Sequence, residues 1–177
     1  MIWLIGIVVV LGVAVGTVIA IGSSLPRDHV ATVRANLKAS PDSIWAIVAD
    51  IEGAASWRTD VKKVERLSDV DGKPSWREES ASGTITFVLA ESEVPRRRVT
   101  RIADDALPFG GTWETVVEAS STGTRVTITE RGFVKPALFR FMARYVFGYT
   151  STLNSYLTAL GAKLGEAVIP EVVASGR

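Results

Sequence analysis

The 177 residues contain no cysteine and a single histidine, His29. Thiol nucleophiles and disulfides are excluded, and no His and Cys cluster exists to hold zinc or another soft metal. A glycine-rich phosphate loop followed by lysine is also missing. His29 stands at the start of a strand, a poor place to build a triad. No catalytic, metal-ligating or cofactor-binding residue is therefore assigned. The lack of cysteine suits a reducing compartment and equally an exported protein without disulfides.

Charge is missing from one end. The first 26 residues carry no ionisable side chain, and all 20 Lys and Arg and all 19 Asp and Glu follow Pro26. The net charge of +1 is too small to support a general basic field, so no nucleic-acid partner is expected.

From Ile2 to Ile21 the chain is almost wholly Ile, Val, Leu, Ala and Gly, with Trp3 near one end. About 20 apolar residues at ~1.5 Å per residue cover a hydrocarbon layer of ~30 Å, so the expectation is a single-pass transmembrane helix over residues 2–22, with the bilayer as partner. A cleaved signal peptide would need a basic residue before a shorter apolar run, and none is present. Arg27, Arg34 and Lys38 lie after the run, which favours a cytoplasmic C-terminal domain. Gly12, Gly16 and Ala20 share one helical stripe through which a homodimer could form. The boundaries read as an anchor over 1–22, a short linker over 23–28, one ligand-binding domain over 29–167 and a tail over 168–177.

His29 to Lys38 alternates small apolar and polar residues, as a half-buried strand does. Ser40-Pro41 then caps a helix that runs through Ile44, Trp45, Ile47 and Val48, and a second short helical piece covers about Ile51 to Trp57. Between Val61 and Arg131, short alternating runs separated by Asp71-Gly72, Ser82-Gly83, Val94-Pro95, Gly110-Gly111 and Thr122-Gly123 read as an antiparallel meander. Pro136 opens one long amphipathic helix whose apolar face includes Phe139, Met142, Val146, Tyr149, Leu153, Tyr156, Leu160 and Leu164. Its other face carries Arg140, Arg144 and Asn154. The fold class is α+β: a curved antiparallel sheet of about seven strands around a long C-terminal helix, with two short helices after the first strand, all preceded by the transmembrane helix. One helix cannot fill a concave sheet as a second sheet would, so a cavity is expected between them.

In that order, with the stretch Ala39 to Asp50, Trp57, Gly110-Gly111-Thr112-Trp113 and Gly123 to Glu130, the domain resembles the helix-grip superfamily called START-like or SRPBCC. That superfamily takes in polyketide cyclases and aromatases, lipid-transfer domains and pollen-allergen-type carriers. The resemblance covers about His29 to Glu166 and implies a hydrophobic small molecule or lipid as ligand, without implying a reaction.

Strand and helix parity nominate the ligand-binding wall: Trp57, Phe87, Leu89, Trp113, Thr115, Val126, Ile128, Glu130, Phe139, Met142, Val146, Tyr149 and Leu153. An inward Glu130 would need a partner, either Arg97 or Arg101 or a ligand's polar end. Arg96-Arg97-Arg98 reads as a basic hairpin near the membrane. The functional expectation is membrane-anchored binding of a hydrophobic molecule. The alternatives are a cyclase- or aromatase-like enzyme using the same pocket, or a tethered interaction module without a ligand.

Overall fold

The computed structural model describes residues 2–174, apart from the side chains of Ile2, Leu4, Ile5 and Val8. Helix α1 (Ile2–Ser24) leads into strand β1 (Asp28–Leu37), helix α2 (Pro41–Ala49) and a 3₁₀ turn (Glu52–Ser56). The meander follows: β2 (Val61–Val70), β3 (Lys73–Ser80), β4 (Gly83–Glu93), β5 (Arg97–Ile102), β6 (Phe109–Ser120) and β7 (Gly123–Val134). After it come α3 (Ala137–Met142), a π-helical turn (Ala143–Phe147), α4 (Ser151–Lys163) and β8 (Glu171–Val173).

The strands form one antiparallel sheet in the order β2-β3-β4-β5-β6-β7-β1-β8. Local chemistry explains the pieces. Ser40 Oγ accepts the Ser43 amide at 3.2 Å and Pro41 opens α2, satisfying an amide the first turn leaves orphaned. Asp71 and Gly72 both take positive φ, 51° and 72°, the backbone that a tight two-residue hairpin requires.

The core fills one half of the sheet. Val33 and Ala35 of β1, Val117 of β6, and Val126 and Ile128 of β7 meet Ile44 and Val48 of α2 and Leu153, Leu157 and Leu160 of α4. Cross-strand register stacks these side chains in rows: Ala35, Val126 and Val117 in one, Val33, Ile128 and Thr115 in the next.

Three features differ from the sequence reading. An eighth strand exists, because after Pro170 the segment read as a tail returns to pair Val172 with Val33. The six-residue linker is shorter, since α1 continues to Ser24 and β1 begins at Asp28. The long C-terminal helix is broken at Gly148, whose φ of 75° lies outside the helical range.

The break rotates the first half of that helix away from the second. Phe139 and Val146, expected inside, are 50% and 57% exposed. Arg140, expected outside, is buried and donates from Nε to the Gly22 carbonyl at 2.8 Å. A positive group there complements the negative C-terminal end of α1. Gly22 is itself buried, and a Cβ in its place would meet the Ala137 carbonyl oxygen at 2.0 Å, so α1 and α3 touch through backbone.

Among the described residues, no helix is long and apolar enough to cross a membrane. The transmembrane span expected over residues 2–22 is therefore not supported by the described residues.

Candidate functional site

The half of the sheet that α4 does not fill encloses a cavity of about 560 Å³, within the usual range for small-molecule pockets. Its walls are Trp76 and Glu78 of β3, Ile85 and Phe87 of β4, Arg98, Thr100 and Ile102 of β5, Trp113 and Thr115 of β6, and Glu130 of β7. Val48, Ala54, Trp57 and Arg58 close it from the α2 side, and Thr152 and Tyr156 from α4.

Strand register gives the cavity a direction. Its exposed lining residues are Asp50, Asp60, Ala81, Ser82, Phe109 and Thr152. Ala81 and Ser82 form the β3–β4 hairpin, Asp60 adjoins Val61, which pairs with Ser80, and Phe109 pairs with Val134. Val134 in turn donates its amide to the Arg27 carbonyl at 2.9 Å. The mouth therefore lies at the end of the sheet from which α1 departs. Buried Arg98, opposite Thr115 and Ser92, lies toward the other, closed end.

Two arginines polarise the cavity in different ways. Arg58 donates to Glu78 at 2.9 Å and grips Asp60 through Nε and Nη2 at 3.2 and 2.6 Å. Burial works against its charge, but the Asp60 hydrogen bond and the nearby carboxylates outweigh that and hold its pKa above the ordinary value. Arg98 has no carboxylate in ion-pair range among the described residues. It donates to the Val48 carbonyl and lies 5.8 Å from the Trp76 ring. Desolvation pushes its pKa down, against the opposing pull of Tyr156 and Glu78. A guanidinium stays protonated at neutral pH, so the cavity holds a buried cation with no direct ion pair among the described residues.

Tyr156 stands beside these groups, edge-on to Trp57 at 5.1 Å and to Trp113 at 5.9 Å, with Arg58 5.5 Å from its ring centre. Burial raises the pKa of its hydroxyl, against the opposing pull of Arg98 and Arg58.

Glu130 lies on the wall, but its partners are not those expected. Oε2 accepts from Trp113 Nε1 at 2.8 Å, and Oε1 lies 2.9 Å from His29 Nε2. The His29 ring stacks on Tyr149 at 4.3 Å. Arg97 faces the other way, toward Glu91, Glu93 and Glu114, and Arg101 is exposed. The three arginines therefore do not form a basic hairpin: successive β5 residues alternate faces, so Arg97 points outward and Arg98 inward.

Of the wall residues expected from sequence, Trp57, Phe87, Trp113, Thr115 and Glu130 line the cavity. Val126, Ile128 and Leu153 are solid core at 0% exposure, because they lie in the rows that α4 covers. Tyr149 packs on His29 instead. Leu89 borders the β4–β5 bulge, where the register shifts between Leu89 and Glu91, and is off the wall. Phe139, Met142 and Val146 precede the Gly148 break and are carried away with it. Arg58, Trp76, Glu78, Arg98 and Tyr156 were missed as wall residues. Period two did contain a signal, since Arg98, Thr100 and Ile102 share one face of β5.

The chain belongs to the family described as "Polyketide cyclase / dehydrase and lipid transport", which matches residues 28–157. No curated protein matches the sequence. Solved structures share the fold at low identity. The Zhui aromatase/cyclase from a Streptomyces species is 19% identical, with TM-score 0.61, over 78% of this chain and 93% of that one. A START superfamily protein from Mycobacterium smegmatis is 19% identical, with TM-score 0.58, over 79% and 98%. The di-domain ARO/CYC StfQ from the steffimycin biosynthetic pathway is 11% identical, with TM-score 0.62, over 78% of this chain but only 52% of StfQ. The chain thus spans about half the length of StfQ.

Proposed function

We propose that this domain binds a hydrophobic molecule bearing one anionic end, held tail outward in the cavity, while α1 anchors the domain in a bilayer. The observation that carries the reading is Arg98: a buried cation without a direct ion-pair partner among the described residues, at the closed end of a largely apolar hollow. A desolvated charge of this kind is costly until a counter-charge arrives. The apolar walls supply the rest of the binding at roughly 25 cal/mol per Å² of ligand surface buried.

The anchor rests on α1 itself. Its 23 residues, Ile2, Leu4, Ile5 and Val8 included, carry no ionisable group in the full sequence, and at ~1.5 Å per residue they extend about 34 Å, the thickness of a bilayer core. With the mouth at the α1 end of the sheet, a molecule leaving the leaflet enters without crossing the aqueous phase.

Native mass spectrometry of full-length protein extracted in mild detergent tests the binding. The expected result is a co-purifying amphiphilic acid that is lost in a cavity-filling Ile85→Trp variant. Protein that is uniformly empty and takes up no added amphiphile contradicts the reading and favours an interaction module.

A second reading, cyclase- or aromatase-like chemistry, is favoured by one arrangement. Glu130 is a wall carboxylate held by His29 and Trp113, as a positioned general base would be. Conversion of the co-purified molecule by the wild type, abolished in Glu130→Gln, would select this reading. Unchanged ligand after prolonged incubation would select carriage.

A further inference from the structure

The α3–π segment leaves an apolar face uncovered. Leu138, Phe139, Tyr145, Val146 and Phe147 are about half exposed or more, with Phe147 at 65%. Large apolar side chains gathered at that exposure mark a contact surface. Three observations bear on what could cover it.

First, the segment is fixed to the end of α1. Gly22 is buried against Ala137, Val18 one turn earlier is half-buried, and Arg140 holds the Gly22 carbonyl. The side of α1 that α3 touches thus reaches into its apolar run. Second, the charges have one sign. Between Glu130 and Glu166 there is no acidic residue, while Lys135 precedes the segment and Arg140 and Arg144 lie within it. Third, the exposed aromatics and the exposed Arg144 come together, and Arg144 lies 6.0 Å from the Tyr145 ring. Aromatic and basic side chains in one short helix are the pattern of an element lying in the headgroup layer.

We propose that α3 and the π-helical turn form a docking face for an anionic phospholipid leaflet, with Phe139, Val146 and Phe147 entering the acyl boundary and Arg144 meeting lipid phosphates. The inference rests on the reading of α1 as an anchor. Docking through this face presses the α1 end of the sheet, and with it the cavity mouth, onto the leaflet.

The absence of native cysteine permits clean labelling. Full-length Val146→Cys and Val13→Cys proteins, each carrying an environment-sensitive fluorophore, are placed in nanodiscs of phosphatidylcholine alone or mixed with phosphatidylglycerol. Doxyl-labelled lipids then read depth. The expected result is quenching at 146 by shallow doxyl groups, greater with phosphatidylglycerol and reduced by Arg144→Glu, alongside quenching at 13 by deep ones. Quenching at 13 with a water-exposed probe at 146 overturns the docking face and leaves the anchor standing. A blue-shifted probe at 146 that lipids cannot quench means protein covers the face, and overturns it too. No quenching at either position removes the anchor and the docking face together.

Discussion

His29 Nε2 and Glu130 Oε1 stand 2.9 Å apart on neighbouring strands, in a diagonal rather than a direct pairing. Glu130 is opposite Ala31 and His29 is opposite Gly132. The imidazole reaches across because Gly132 presents no side chain: a Cβ there would lie 2.6 Å from His29 Cε1 and 3.1 Å from Glu130 Oε1. Gly132→Ala is expected to displace the ring, break its stack on Tyr149 and cost about 1–3 kcal/mol, as overpacking does. Denaturant unfolding measures the loss, and a shift of the single histidine's NMR resonances reports the displacement. Unchanged histidine signals contradict the assignment.

Arg98 separates stability from binding. Arg98→Met removes a desolvated charge and the hydrogen bond to the Val48 carbonyl. Relief of a buried, unpaired charge amounts to several kcal/mol and exceeds a typical hydrogen bond. The variant is expected to match or exceed the parent's stability by up to about 2 kcal/mol. A clear loss of stability in chemical denaturation would place Arg98 among the structural residues.

The two halves of the sheet answer truncation differently. Leu157, at 0% exposure in the solid half, is expected to lose about 2–5 kcal/mol as Ala, with a cavity term included. Ile85 borders space that is already empty, so Ile85→Ala loses less, about 1 kcal/mol for the methylenes still packed. Equal losses at the two sites, measured by denaturant titration, would mean the hollow is closed in solution.

How much of this was legible in the sequence follows the physics of each element. Most of the strands were readable because they pack one face on the interior and leave alternate residues wetter, as β1 does, whereas β2 is mostly exposed and was marked out by the turn at Asp71-Gly72. Glu130 was placed on the wall by that parity alone. Its partner was not, because the diagonal contact with His29 depends on register and on the gap at Gly132. The helix reading failed at Gly148: the 3.6-residue period of its apolar residues persists through the break, although Phe139 and Val146 face outward and Leu153 faces the core. The short β8 has three residues and gains its place only by pairing with β1, which no local pattern announces. Arg98 was read as part of a charge run, although its neighbours Thr100 and Ile102 shared its inward parity.

Tyr156 sets an alkaline limit. Its folded pKa lies above the ordinary value, chiefly through burial, so the folded state keeps a proton that the unfolded state loses above pH ~10. Its contribution is fully present below that pH and is lost as pH rises further, because unfolding then releases a proton. Chemical denaturation of the parent and of Tyr156→Phe at successive pH values is expected to show a steeper alkaline decline in the parent. Parallel curves would contradict the burial of this hydroxyl.

The account turns on whether the closed end of the cavity receives a negative charge. The direct measurement is the affinity of the full-length protein in detergent for a long-chain carboxylic acid and for its methyl ester, repeated with Arg98→Met. A hydrogen bond to a charged group contributes ~1.5–3 kcal/mol, so the acid is expected to bind roughly tenfold or more tighter than the ester, with the preference gone in Arg98→Met. Equal affinity of the parent for acid and ester, or a preference that survives the substitution, would contradict the account.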